Sequence, residues 1–367
     1  MKDIDLSKLE LEEFRKEINK IDEKLIELLN ERGKIAQKIG DLKKELRIEI
    51  HQPERENEII ELIKEKSTVL KPRSIEAIWR EIVSACKLIQ GSMAKVGYLG
   101  PKGTFTHQAA LEYFPKAATQ FLSYNSISGI FENVEKDLVD YGVIPIENSL
   151  HGTVRETLDL LIEKDLIIYG EIEIRIIHNL LSTKDSKLSQ IRHIISHPQA
   201  FAQTRTWIKI NIPNAELINV NSTAEAAQRV SELNDESYAA IGTELSSKKY
   251  GLKVLSLKIE DNAFNFTRFL IISKKENDQK EGKIKTSLIF VTKHIPGALY
   301  RVLKIFADAN INLSKIESRP RRRGRWEYIF LMDFEGDKDD PKIKKILDSL
   351  NENVIWYKIL GSYLMAK

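Results

Sequence analysis

A chain of 367 residues is long enough for two to four domains, each burying its own core. Its 57 Lys and Arg against 54 Asp and Glu leave a net charge of only +3, which argues against a protein dominated by nucleic-acid binding. The single cysteine, Cys86, excludes an internal disulfide, no apolar run approaches the ~18 residues that span a bilayer, and the charged N-terminal stretch is unlike a cleavable signal. A cytoplasmic protein with no membrane partner is expected.

Ser7 with Glu10 forms a capping-box pattern that predicts a helix start. From Phe14 through Ile18, Ile21, Leu25, Leu28, Ile35, Ile39, Leu42 and Leu46, apolar residues recur in alternating steps of four and three, with Arg32 on the same seam. Such a helix of about 40 residues would be near 60 Å long and needs partner helices along it. Helices over 54–66 and 74–90 follow, so the module is all-helical. A guanidinium on an apolar seam is costly to bury unless an anion meets it. Lys43 lies about 20° around the helix and roughly 16 Å along it, so two cations can close on one small anion. A register-setting polar residue of a coiled coil explains Arg32 equally well. Arg15 lies roughly 42 Å from Lys43 on the same helix, and only an antiparallel partner helix would bring it there, which suggests a dimer.

Arg15, Arg32, Lys43, the run Pro53-Glu54-Arg55-Glu56 and Gln90 together resemble the all-helical chorismate mutase family over nearly all of residues 8–90. The resemblance implies a pericyclic rearrangement of chorismate to prephenate, driven by holding the folded conformer and stabilising charge on the breaking ether oxygen. By position, Arg15 of a partner chain, Arg32 and Arg55 would grip the carboxylates, Lys43 and Gln90 would donate to the ether oxygen, and Glu56 would take the ring hydroxyl. Gln52 and Cys86 depart from residues that some members carry there.

After Gly91-Ser92 the periodicity changes. Strands are predicted at 95–99, 121–122, 142–146, 166–174, 191–195, 217–220 and 238–241, with helical patterns after most of them, the first over 104–114. About 180 residues of this alternation suit two α/β lobes with a ligand cleft between them. The turn Gly100-Pro101-Lys102-Gly103 before Thr104 offers backbone N–H groups to an anion or is only a tight connection, and it fits no nucleotide-binding spacing. His197 has no Cys or His at metal-ligand spacing, so neither metal nor cofactor is expected. Polar clusters end several strands: Pro145 to Ser149, Ser196-His197-Pro198-Gln199 with Gln203 beyond, and Asn221-Ser222-Thr223, where helix capping is expected as well. Asn265-Phe266-Thr267-Arg268-Phe269 stands where a strand-like run begins. With the motif from Gly100 to Thr106, these segments resemble the prephenate dehydratase family across 95–273. That family converts prephenate to phenylpyruvate, losing carbon dioxide and the ring hydroxyl as the ring aromatises. The resemblance implies Thr267 as hydrogen-bond donor to that hydroxyl, Arg268 on a carboxylate, and Asn148, Ser149, Ser196, Gln203 and Thr223 shaping the site. Glu147 would be a proton source or would only hold its loop.

Residues 274–285 read as a polar linker. Beyond it, a strand at 286–292, a helix at 297–309, strands at 312–318 and 326–334, a helix at 341–350 and a strand at 355–363 predict a ferredoxin-like βαββαβ module. The arginine-rich run from Arg319 to Arg325 sits at a hairpin tip without interleaved aromatics, so no nucleic-acid partner is expected. Gly297, Ala298 and Leu299 with Glu317, Ser318 and Arg319 resemble the effector motifs of the ACT regulatory domain over 286–365. That resemblance implies paired domains that bind phenylalanine and inhibit the dehydratase. The expected architecture is therefore a mutase module at 1–92, a dehydratase at 95–273 and a regulatory domain at 286–365. Two rivals stand beside it: a dehydratase whose helical module only dimerises, and a two-lobed binding or sensor protein without turnover.

Overall fold

The computed structural model describes residues 2–46, 53–277, 282–320 and 328–366, without the side chains of 2–9, 53, 54 and 57. The chain forms two compact units, Met1–Met93 with Pro115–Thr119, and Ala94–Phe114 with Gln120–Lys367.

The first unit holds helices α1 (Lys2–Leu46), α2 (Pro53–Lys66) and α3 (Pro72–Ile89). Ser7 falls inside α1, which corrects the helix start expected there. No glycine or proline stands between Lys2 and Ser7, so the helix extends upstream. The apolar seam of α1 stays open, with Phe14, Ile18, Ile21, Leu25 and Leu28 all 50–62% exposed.

The second unit begins with a lobe of β1 (Ala94–Leu99), α4 (Phe105–Tyr113), β2 (Thr119–Tyr124), α5 (Ile127–Glu135), β3 (Tyr141–Asn148), β4 (Gly152–Thr153), α6 (Arg155–Glu163) and β5 (Ile167–Arg175). A second lobe follows with β6 (Asn179–Ser182), β7 (His193–Ser196), α7 (Pro198–Gln203), α8 (Arg205–Asn211), β8 (Glu216–Asn219), α9 (Thr223–Leu233), β9 (Tyr238–Gly242), α10 (Glu244–Tyr250) and β10 (Lys253–Ser256). The chain then returns to the first lobe as β11 (Phe266–Ser273). Thr104, Ser222 and Thr243 cap α4, α9 and α10 through their side chains, which satisfies first-turn N–H groups. The first lobe's sheet runs β2-β1-β3-β11-β5 with β4 beside β3, and the second lobe's runs β10-β6-β9-β7-β8. The strands β4, β6 and β10 escape the sequence reading. β6 is buried at every position and so lacks the alternation that marks a half-buried strand.

Two crossovers join the lobes and pair with each other. Ile176 N–H donates to Asn265 O at 2.8 Å and Ile259 N–H to His178 O at 2.8 Å.

The C-terminal sheet comprises β12 (Ile284–Thr292), β13 (Leu313–Pro320), β14 (Tyr328–Glu335) and β15 (Val354–Leu364), in the order β13-β14-β12-β15. Helices α11 (Ala298–Asp308) and α12 (Pro341–Asn353) cover one face, where Phe290, Phe330, Met332 and Phe334 pack on Val302, Phe306 and Ile346. The other face sends Ile289, Val291, Leu331 and Tyr363 into the same core as Ile130, Phe131 and Leu161 of the first lobe. The expected linker is corrected at both ends. Asn277 is buried and donates to Tyr169 O at 3.0 Å, while Lys285 lies buried inside β12. Residues 278–281 lie outside the described ones. Among the described residues, no helix is long and apolar enough to cross a membrane.

Candidate active site

β11 lies between β3 and β5 and runs antiparallel to both, with Thr267 opposite Asn148 and Arg268 opposite Glu147. Cross-strand partners share a face and successive residues alternate, so Thr267 with Asn148 and Arg268 with Glu147 face opposite ways. The strand begins at Phe266, which puts both residues inside it.

On the first face, Asn148 Nδ2 donates to Thr267 Oγ1 at 2.9 Å, to Asn265 Oδ1 at 2.9 Å and to Phe266 O at 3.1 Å. Asn148 Oδ1 accepts from the N–H groups of Leu150 and His151, both at 3.1 Å. Because the amide donates to Thr267, the threonine oxygen is an acceptor here and its own O–H is left to donate elsewhere. Gln203 reaches the same place from α7 in the second lobe, with its Nε2 at 3.3 Å from His151 Nε2 and its Oε1 at 2.7 Å from His178 Nε2. The structure thus gathers Thr267, Asn148 and Gln203 in one hydrogen-bonded group at the seam between lobes. Asn265, His151 and His178 belong to it as well. The sequence quotes Asn265 in its motif without a role, and nothing local marks the two histidines.

The remaining dehydratase candidates take supporting positions. Ser149 Oγ donates to Phe264 O at 3.0 Å and accepts from Phe266 N–H at 3.0 Å, which ties the loop after β3 to the start of β11. Ser196 Oγ is fully buried and donates to Ile241 O at 3.0 Å. Thr223 opens α9 and is buried beside the capping Ser222. At the glycine turn, Gly103 N–H is taken by His107 Nδ1 at 3.1 Å, and Gly103 O accepts the hydroxyls of Thr243 and Ser246 at 2.8 and 2.9 Å. That turn docks the first lobe on α10. Burial first, then Lys102 and Lys249, pushes the His107 pKa down to about 4.

The second face is different. Arg268 is nearly enclosed, its Nε 2.6 Å from Glu171 on β5, its Nη1 2.7 Å from Asp333 on β14 and its Nη2 3.0 Å from Tyr363 Oη on β15. Lys285 Nζ adds a contact to Glu171 at 2.9 Å, and Ser287 Oγ bridges Asp333 and Tyr363. Two cations and two carboxylates therefore balance inside the protein. Burial opposes the guanidinium charge, but Tyr363, Asp333 and Glu171 more than offset it and raise the Arg268 pKa. Glu147 pairs with Lys315 of β13 at 2.6 Å. Arg268, expected on a carboxylate beside Thr267, thus reaches toward the C-terminal domain instead, because strand alternation separates neighbours in sequence. Glu147 does the same, and its pairing with Lys315 fits the loop-holding alternative better than the proton source.

In the helical unit, Arg32 is half-buried and its Nη1 meets Cys86 Sγ at 2.6 Å. Lys43 is half-buried on α1, and Gln90 caps the end of α3. A Cβ on Gly40 would fall 2.9 Å from Gln90 Cα, so only glycine lets the end of α3 close on α1 there. Gly40 and Lys43 are one turn apart on the same helix face, which makes Gln90 and Lys43 neighbours. Glu56 forms an ion pair with Lys87 at 2.9 Å. Arg55 and Arg15 are exposed, with Glu58 at 2.7 Å and Glu12 at 3.7 Å respectively. Gln52 lies outside the described residues.

In the C-terminal domain, a cavity of about 470 Å³ is lined by Gly297, Ala298 and Leu299 with Thr292, Tyr328 and Phe330. That volume falls within the usual range for a small-molecule site. Gly297 has φ +76°, a conformation that glycine adopts without strain. Ser318 pairs opposite Phe330 and shares its face, whereas Glu317 and Arg319 are on the other face. Arg319 there donates to Asp159 and to Arg155 O. The arginines at 321–325 and the strand start expected at 326 lie outside the described residues.

Among the described residues, the lobe seam gathers side chains that donate and accept hydrogen bonds, and the helical unit sets Arg32 and Lys43 on one helix, an arrangement suited to binding a small polar molecule. Family models agree in three parts: chorismate mutase type II over residues 14–91, prephenate dehydratase over 96–277 and the ACT domain over 286–352. The bifunctional chorismate mutase/prephenate dehydratase of Aquifex aeolicus is 44% identical over 97% of this chain and 98% of its own length. Prephenate dehydratase from Arthrobacter aurescens, solved in complex with L-Phe, is 32% identical with a TM-score of 0.68, covering 74% of this chain and 90% of its own. GqqA, described as a novel type of quorum quenching acylase, is 30% identical with a TM-score of 0.67, covering 74% of this chain and 97% of its own, so the fold alone does not fix an activity. The chain belongs to the bifunctional chorismate mutase/prephenate dehydratase family, and it carries both of those activities and an ACT domain.

Proposed function

We propose that this chain performs two consecutive steps of phenylalanine synthesis and is inhibited by phenylalanine, with the mutase at 1–92, the dehydratase at 95–273 and the regulatory domain at 286–365. The observation that carries the dehydratase mechanism is the Asn148 to Thr267 hydrogen bond at 2.9 Å, in which the threonine oxygen accepts and its own proton is left to donate elsewhere. In prephenate, the bond to the ring carboxylate breaks and carbon dioxide leaves. The released pair aromatises the ring and expels the hydroxyl, which takes its proton from solvent and departs as water. Thr267 stabilises that departure by donating a hydrogen bond, since a threonine hydroxyl is too weak an acid for full proton transfer. Asn148 and Gln203 orient the substrate, Ser149, Ser196 and Thr223 hold the loops, and Arg268 with Glu147 anchors β11 and β3 to the C-terminal domain.

In the mutase, Arg32, Lys43 and Gln90 act on one chorismate molecule, with Arg55 and Glu56 at its rim. Arg15 comes from a second copy whose α1 covers the open apolar seam. Phenylalanine binds at Gly297, Ala298 and Leu299. The route for inhibition is supported by β12 and β14, which contribute Thr292 and Phe330 to the cavity and also Lys285, Ser287 and Asp333 to the cluster around Arg268.

A chromatographic time course from chorismate, with and without phenylalanine, tests the reading. Phenylpyruvate that forms and is suppressed by phenylalanine supports it. Prephenate that accumulates without phenylalanine removes the dehydratase role of Thr267, and untouched chorismate reduces the helices to a dimerisation device.

A further inference from the structure

His178 lies on the first crossover and is 2% exposed. Its backbone is pinned on both sides, the N–H donating to Glu260 Oε2 at 3.0 Å and the carbonyl accepting from Ile259 N–H at 2.8 Å. Phe105, at the start of α4, stands edge-on to the ring with centroids 5.6 Å apart. Ring Nε2 is 2.7 Å from Gln203 Oε1. An amide oxygen only accepts, so Nε2 carries the hydrogen. Nδ1 is buried without a partner among the described residues, and a bare lone pair there costs less than a stranded N–H. Burial keeps the ring uncharged, lowering its pKa against the opposite pull of Gln203 and Glu260.

An amide is planar. With Oε1 fixed by His178 and one N–H directed at His151 Nε2 at 3.3 Å, the second N–H of Gln203 has one direction left. The far end is anchored through Asn148, which accepts the backbone N–H of His151 at 3.1 Å and donates to Thr267 at 2.9 Å. A continuous chain thus runs from His178 through Gln203, His151 and Asn148 to Thr267. We propose that His178 is a positioning residue for the dehydratase reaction: an Nε2–H donor that sets the Gln203 amide so that its remaining N–H meets an acceptor oxygen of the substrate. This role rests on the dehydratase reading of the lobe seam.

The test is prephenate turnover by the full chain and by H178F, H178Q, Q203A and the H178F/Q203A double variant. H178F is expected to lower kcat about tenfold, the size of one lost hydrogen bond to a reacting group. KM should stay within about twofold, as for an interaction made mainly in the transition state. H178Q, whose amide nitrogen reaches the place of ring Nε2, recovers most of the loss, and H178F costs nothing further on the Q203A background. Equal losses in H178F and H178Q, full additivity with Q203A, or unchanged kcat in H178F would overturn the role. Nitrogen NMR of the unsubstituted chain reads the tautomer without any variant: an Nε2-protonated His178 is expected, and an Nδ1-protonated one contradicts the role. Absence of wild-type turnover would instead overturn the dehydratase reading itself.

Discussion

Arg268 follows Thr267 in the chain, yet its guanidinium is held on the opposite face of β11 by Glu171 and Asp333. Removing one member of such a buried set leaves uncompensated charge, and Arg268→Met is expected to cost about 3–5 kcal/mol. Urea unfolding of the second unit's signals measures it, and a loss below about 1 kcal/mol, the scale of an exposed pair, would show that the cluster is solvated. His107 gives a second prediction. Its Nδ1 accepts the Gly103 N–H, and its pKa is lowered from 6.5 to about 4. The unfolded chain therefore binds a proton that the folded chain refuses between those values, so stability falls as pH drops from 6.5 toward 4. His107→Gln should flatten that segment of the stability curve, and an unchanged slope would assign the acid sensitivity to other groups.

At the scale of elements, periodicity made most of the fold legible. The helix predicted at 104–114 is α4 with its caps Thr104 and Phe114, and the βαββαβ order appears in the C-terminal domain as expected. What stayed illegible has physical causes. β6 is buried throughout and β10 exposes only its first residue, so neither shows a period. The sequence alone puts Thr267 and Arg268 at a strand start, where both can serve one site. Three more residues of strand before Phe269 impose the alternation that parts them. Glu171, Asp333 and Tyr363 are distant in sequence and carry no motif, so the Arg268 cluster needed the fold to be seen. In α1 the open seam is the decisive feature. Leu25→Lys should leave the helix intact but remove the apolar contact of the proposed dimer, shifting the chain toward monomer in sedimentation and lowering mutase turnover, since Arg15 would no longer reach a partner's site. Retained dimer with full mutase activity would show that the seam is not the interface.

The cavity of the C-terminal domain, where phenylalanine is proposed to bind, and the lobe seam around Thr267 stand on one connected framework. β12 and β14 line the cavity at one end; toward the other, Asp333 of β14 meets Arg268, while Ser287 of β12 donates to Asp333 and Lys285 pairs with Glu171, which also binds Arg268, and Arg268 adjoins Thr267. Tyr363→Phe removes the hydroxyl that meets both Arg268 and Ser287 while keeping the ring in the core. It should reduce the maximal inhibition by phenylalanine while calorimetry still detects phenylalanine binding, and undiminished inhibition would place the coupling elsewhere. The proposed dehydratase mechanism turns on the hydroxyl of Thr267, and T267V probes it because the shape is kept and the donor is lost. With prephenate as substrate, kcat should fall roughly 10²–10³-fold, the usual cost of one preorganised donor, while chorismate turnover by the same protein stays unchanged. A T267V enzyme that keeps prephenate turnover within about threefold of wild type, less than about 1 kcal/mol in barrier, would contradict the account.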